Sequence, residues 1–226
     1  MRSTRVKRVL EWLAMPDSTA PRLIAAYFSE VDTDGHNHGP DAPETDRAIA
    51  QVDSAVGAII DGIAALGATD NVNVIIVSDH GMAAVSSDRV IQLDEFVSMD
   101  SLQVADLSPV ATIIPIPGAV EYVYRQLHGA HPHLAVFRKG ELPPRLHYNA
   151  GARVTPIVAI ADEGWSISGR RGSSGMEQNR TYGAHGYDPD RPNMGALFIG
   201  AGPGLRAGIT VPAFQNIHVY PLLAAL

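Results

Sequence analysis

Residues 27–40 read YFSEVDTDGHNHGP and set Asp32 and His36 four positions apart behind a short apolar run. On a helix that spacing puts a carboxylate and an imidazole on one face, and in a tight turn around Gly35 it folds them toward a common point. Two other stretches carry the same residue types. VSDHGM (77–82) ends a β-branched run with Asp79 and His80, where a buried carboxylate and imidazole cost stability unless each is paired or bound to a cation. GAHGYD (183–188) holds His185 between glycines. Any one of these alone is an ordinary solvated loop or capped turn. Together they offer Asp32, His36 and His185 for one cation, and Asp79 with His80 for part of a second. The chain has no cysteine, so any metal must sit on nitrogen and oxygen. Mixed carboxylate and imidazole ligands suit a catalytic zinc ion with an open position, and manganese and iron are also compatible by ligand type.

These side chains need elements that carry them to one place. LIAAYFSE (23–30) and NVNVIIVSDHG (71–81) read as buried strands. Between them, apolar residues recur at three- and four-residue steps from Ala48 to Leu66, and Gly67 follows as a helix stop. Strand, helix, strand predicts a right-handed parallel crossover, whose strands end at the same sheet edge. Asp32 and Asp79 would then share the edge where open α/β sheets place their ligands. Further strands are predicted at 111–116, 133–138 and 153–161, with a helix at 118–129, and residues 111–148 form a candidate small inserted lobe. Residues 168–190 are rich in Gly, Ser and charge without periodicity and read as a long surface loop. The predicted fold class is α/β, a mostly parallel sheet with flanking helices.

Bulk properties narrow the partners. With 226 residues, 46% of them hydrophobic, the chain can bury one substantial core, and one domain is the default. A net charge of −7 without a basic block argues against a nucleic-acid polymer as ligand. The basic start MRSTRVKRVLEWLAM is interrupted by Glu11 and does not read as a signal peptide, and no membrane-spanning run is expected.

RVLEWLAMP, YFSEVDTDGHNHGP, VNVIIVSDHGM, ELPPRLHYNAGARV, DEGWSI, YGAHGYD and GALFIGAGPG, in that order, resemble the nucleotide pyrophosphatase/phosphodiesterase family of the alkaline phosphatase superfamily. The resemblance extends to most of the chain. It implies an alkaline phosphatase-like fold, two zinc ions, and a small phosphodiester or nucleotide substrate. Position by position it makes Asp32, His36 and His185 ligands of one zinc and Asp79 and His80 ligands of the other, with Tyr27 where the family stacks an aromatic on the substrate base. It also implies a threonine nucleophile and a further zinc-ligating aspartate well before the segment matching Tyr27. Ser3, Thr4, Ser18 and Thr19 do not stand in such a setting. The expectation is therefore that residues 1–226 are part of a catalytic domain, with one zinc site incomplete and little activity of its own. Other readings are a non-catalytic metal- or nucleotide-binding fragment, and a phosphomonoesterase or phosphomutase of the same superfamily.

Overall fold

The computed structural model describes residues 2–149, 151–170, 176–177 and 180–226. In chain order its elements are α1 (Arg2–Leu13), α2 (Glu30–His38), α3 (Pro43–Ala65), β1 (Val74–Val77), β2 (Ala83–Ser86), β3 (Val90–Gln92), β4 (Leu102–Asp106), β5 (Val110–Pro115), α4 (Val120–Leu127), β6 (Leu134–Arg138), β7 (Ile157–Ala161), β8 (Ser166–Ser168), β9 (Thr181–Ala184), β10 (Phe198–Ala201) and α5 (Val219–Ala225). They divide into two compact units. The first comprises residues 1–33, 46–79 and 196–226, and the second comprises 34–45 and 80–195.

In the first unit α3 is the long amphipathic helix that the periodicity predicts, with Ala48, Ala55 and Ile63 buried. It stops where expected. Gly67 adopts φ +67°, its N–H reaches the Ala64 carbonyl at 3.0 Å, and the Ala68 N–H reaches that of Ile63 at 3.0 Å, a Schellman closure. Near its end Gly62 leaves space that Leu10 of α1 fills, since a Cβ there would lie 2.4 Å from Leu10 Cδ2. By length and composition α3 would also pass as a membrane-crossing helix, against the expectation of no such run, although core helices meet the same test. Strand β1 pairs antiparallel with β10, Val74 opposite Ala201.

The second unit is built on an antiparallel sheet ordered β4-β5-β7-β6. The apolar stripe of α4 (Val120, Val123, Tyr124, Leu127) packs with Ile113, Val136, Ile157 and Ala159. Strand β7 is covered on both faces, because Val158 joins Leu142 and Val154 in a separate cluster. Strands β2 and β9 pair antiparallel, and β3 and β8 pair parallel.

Three sequence expectations change. Residues 23–29 form no strand, and Glu30 already begins a helix; Leu23 and Tyr27 are exposed, so the apolar run lacks the burial that made it look like a sheet core. The pairings among the described residues are mostly antiparallel, so the mostly parallel sheet is not seen in them, and β1 finds β10 instead of the 23–30 segment. Within the expected loop 168–190, residues 181–184 are strand β9, held by the ladder to β2 despite the glycine-rich composition, while 171–175 and 178–179 lie outside the described residues.

Adjacent residues of β5 offer a check, because Ile113 is fully buried and Ile114 is 39% exposed. Ile113→Ala should cost about 2–5 kcal/mol in denaturant unfolding, and Ile114→Ala less than about 1 kcal/mol. Similar losses at both positions would contradict the face assignment.

Candidate functional site

The segment carrying Asp32 and His36 is the helix α2. The Ser29 carbonyl accepts from the Thr33 N–H at 2.9 Å, and Glu30 and Asp32 in the first turn match the helix dipole. Asp32 and His36 stand one turn apart on this helix, with ligand atoms within 4.8 Å of each other.

The second half of α2 lies against β9. Gly35 is buried beside Met82, and a Cβ on Gly183 would come within 2.3 Å of the Gly35 carbonyl oxygen and 2.8 Å of Met82 Sδ. Two backbones therefore meet with no side chain between them. In that arrangement His36 Nδ1 lies 2.8 Å from the Gly183 carbonyl oxygen. A carbonyl only accepts, so Nδ1 carries the hydrogen and Nε2 is the candidate ligand atom.

Strand β9 ends at Ala184, opposite Ala83, and His185 follows it. His185 offers a ligand atom within 4.8 Å of that of His36, and their ring centroids are 4.9 Å apart. The His80 ring stacks on His185 with centroids 3.5 Å apart and planes 12° from parallel. His80 Nδ1 lies 2.9 Å from the Gly81 carbonyl oxygen, so it too presents Nε2. Gly81 is itself fixed by close approach: its N–H donates to the Met194 carbonyl at 3.2 Å, and a Cβ would sit 2.0 Å from the Asn193 carbonyl oxygen.

The structure thus gathers His36, His80 and His185, and carries Asp32 on the same helix as His36. A carboxylate with imidazoles is a donor set that fits a zinc-like divalent cation. Asp79 is exposed beside His80, and among the described residues neither belongs to a group of three or more candidate ligands. Tyr27 is 66% exposed in the extended stretch before α2. The Ser78 hydroxyl oxygen accepts the Leu197 N–H at 2.7 Å.

Sequence reasoning did not single out Gly35, Gly81 or Gly183 as packing requirements, nor the anchor after His185. There Tyr187 is buried, which pushes its phenol up to about 12, and Asp188 pairs with Arg145. The Arg145 guanidinium lowers the Asp188 carboxyl from the ordinary 3.8 to about 2.

The sequence profile described as type I phosphodiesterase / nucleotide pyrophosphatase matches residues 1–188. Human ectonucleotide pyrophosphatase/phosphodiesterase family member 5 is 35% identical over 222 residues, 98% of this chain and 45% of that protein. The Xenopus laevis protein named bis(5'-adenosyl)-triphosphatase enpp4 is 35% identical over 223 residues, 98% of this chain and 48% of its own. Among solved structures, murine ectonucleotide pyrophosphatase/phosphodiesterase 5 superposes with a TM-score of 0.91 at 38% identity, covering 100% of this chain and 58% of that one; an inactive variant of it, in complex with AMP, superposes equally well. The chain spans about half the length of the curated relatives it matches.

Gly183→Ala should push α2 off β9, at a cost of about 1–3 kcal/mol, and break the His36 hydrogen bond, seen as a change in the His36 imidazole nitrogen resonances. Because the folded pKa of Asp188 is depressed, its pair with Arg145 should stabilise the chain above about pH 4 and lose that contribution as pH falls toward 2. Arg145→Gln should flatten that part of the stability profile.

Proposed function

Since the chain belongs to the type I phosphodiesterase / nucleotide pyrophosphatase family, we propose that it takes part in hydrolysing phosphodiester or pyrophosphate bonds of small nucleotide-type substrates at a metal site. Asp32, His36 and His185 hold one zinc ion, and Asp79 and His80 contribute to a second. The observation that carries this reading is the His36–His185 pair. Their ligand atoms lie within 4.8 Å, and the Nδ1 of His36 is already committed to a backbone carbonyl.

When bound, the metal supplies Lewis-acid stabilisation of charge on the phosphoryl oxygens. The residues of the chain do the rest of what is proposed. The Gly183 and Gly81 carbonyls accept from the Nδ1 atoms of His36 and His80, so that each ring would offer Nε2 to its own ion. Asp32 brings one negative charge, which offsets half that of a divalent cation. Tyr27 offers an exposed aromatic face to a nucleobase. The AMP complex of the murine relative's inactive variant supports a nucleotide as the substrate class. In the same reading residues 1–226 form part of a catalytic domain with 111–148 as an inserted lobe, and the whole protein carries the mostly parallel alkaline phosphatase-like sheet.

Zinc titration of the metal-free chain should show one tight equivalent, with a second weak or absent, because the first site has three protein ligands and the other two. His36→Ala should remove the tight one. Hydrolysis of a nitrophenyl phosphodiester should exceed that of the monoester. A preference for the monoester would move the reading to a phosphomonoesterase, and tight zinc without any turnover would favour a non-catalytic binding role for the chain alone.

A further inference from the structure

His185 leaves strand β9 directly into Gly186, whose φ of +93° belongs to the region that glycine enters freely. Upstream, the ladder to β2 ends at Ala184. The residues beyond this turn therefore bear on where the His185 ring sits. Two contacts are found there. The buried Tyr187 donates its hydroxyl to the Trp165 carbonyl at 2.9 Å. Asp188 is gripped by both terminal nitrogens of Arg145, Nη1 at 2.5 Å from Oδ1 and Nη2 on Oδ2, and Nη1 also reaches Asp190 Oδ2 at 2.9 Å.

The arginine is presented by a closed loop. The Asn149 side chain accepts the Leu142 N–H at 3.0 Å and donates to the Leu142 carbonyl at 2.6 Å, cinching residues 142–149 around Arg145. The two partners are partly exposed, with side chains 46% and 29% accessible. Such a pair contributes only modestly to fold stability, whereas its forked geometry fixes direction in a way a point charge does not.

We propose that Arg145 is a positioning residue for His185: its forked pair with Asp188 sets the turn after β9 so that the imidazole meets the ligand atom of His36. The proposal rests on the reading of Asp32, His36 and His185 as metal ligands. Residues that orient a ligand from outside the coordination sphere typically change metal affinity about 10–100-fold when replaced. Asp190, touched by one nitrogen only and farther from His185, is a subsidiary contact.

The test is zinc affinity of the 226-residue chain, by competition with a chromophoric chelator, together with thermal melting of the metal-free forms. Arg145→Gln and Asp188→Asn should each weaken zinc about tenfold or more, and the double variant should be no weaker than either single one. Arg145→Lys should recover only part of the loss, and Asp190→Asn should bind nearly as the parent does. A purely structural pair would lower the melting temperature of the metal-free chain but leave zinc affinity of the folded protein alone, and that unchanged affinity overturns the proposal. Should Arg145→Gln fail to fold, Asp188→Asn, which keeps the side-chain volume, decides the matter. His185→Ala separates the two levels. If it loses zinc while Arg145→Gln and Asp188→Asn bind as the parent does, the positioning role is wrong and the metal site stands. If it binds zinc as the parent does, both are wrong.

Discussion

Helix α2 can bring His36 to the end of β9 only because two backbones touch there without a side chain between them. The Gly35 carbonyl oxygen lies only 2.3 Å from where a Cβ on residue 183 would stand. From that contact the rest of the site follows. The Gly183 carbonyl is left close enough to take the Nδ1 hydrogen of His36, β9 is left straight enough to pair with β2, and His185 emerges beside His36. A separation of a few ångströms at this contact would lose the hydrogen bond and the meeting of the two rings together.

Two of the imidazoles are oriented by main chain. His36 and His80 each give a hydrogen to a backbone carbonyl, which has no rotamers and no charge to lose. The tautomers are therefore set before any cation arrives, and the ordering cost of the ligands is met in folding. The glycines at 81 and 183 serve backbone contacts, the first with the Asn193 carbonyl and the second with that of Gly35.

Much of this was readable in the sequence, and the limits of reading have physical causes. The α3 periodicity and its Gly67 stop sufficed for that helix, because a Schellman closure is local. The four-residue spacing of Asp32 and His36 left a helix face and a tight turn both open, and the chain takes the helix, where i,i+4 neighbours need nothing distant. Strand β9 was hidden by its glycine-rich surroundings, as its hydrogen-bond partner β2 lies far upstream and is what makes it a strand. The run 23–29 misled in the opposite sense, being apolar enough for a strand without the burial that would make it one. Arg145 lies in a stretch that carries the family resemblance, but its role comes from the loop closed by Asn149 and from Asp188, and only the folded chain puts the three together.

Two of the glycines differ in what evolution could do with them. At Gly62 the obstacle to a larger residue is the Leu10 side chain. A second change that trims Leu10 would make room, so this glycine can drift as one half of an exchange. At Gly183 the obstacle is a carbonyl oxygen of the main chain, which every amino acid at position 35 carries. No partner substitution removes it, and variation at 183 is closed off unless the helix itself moves. The two positions look alike as letters, yet one belongs to a negotiable pair and the other to a fixed point of the fold.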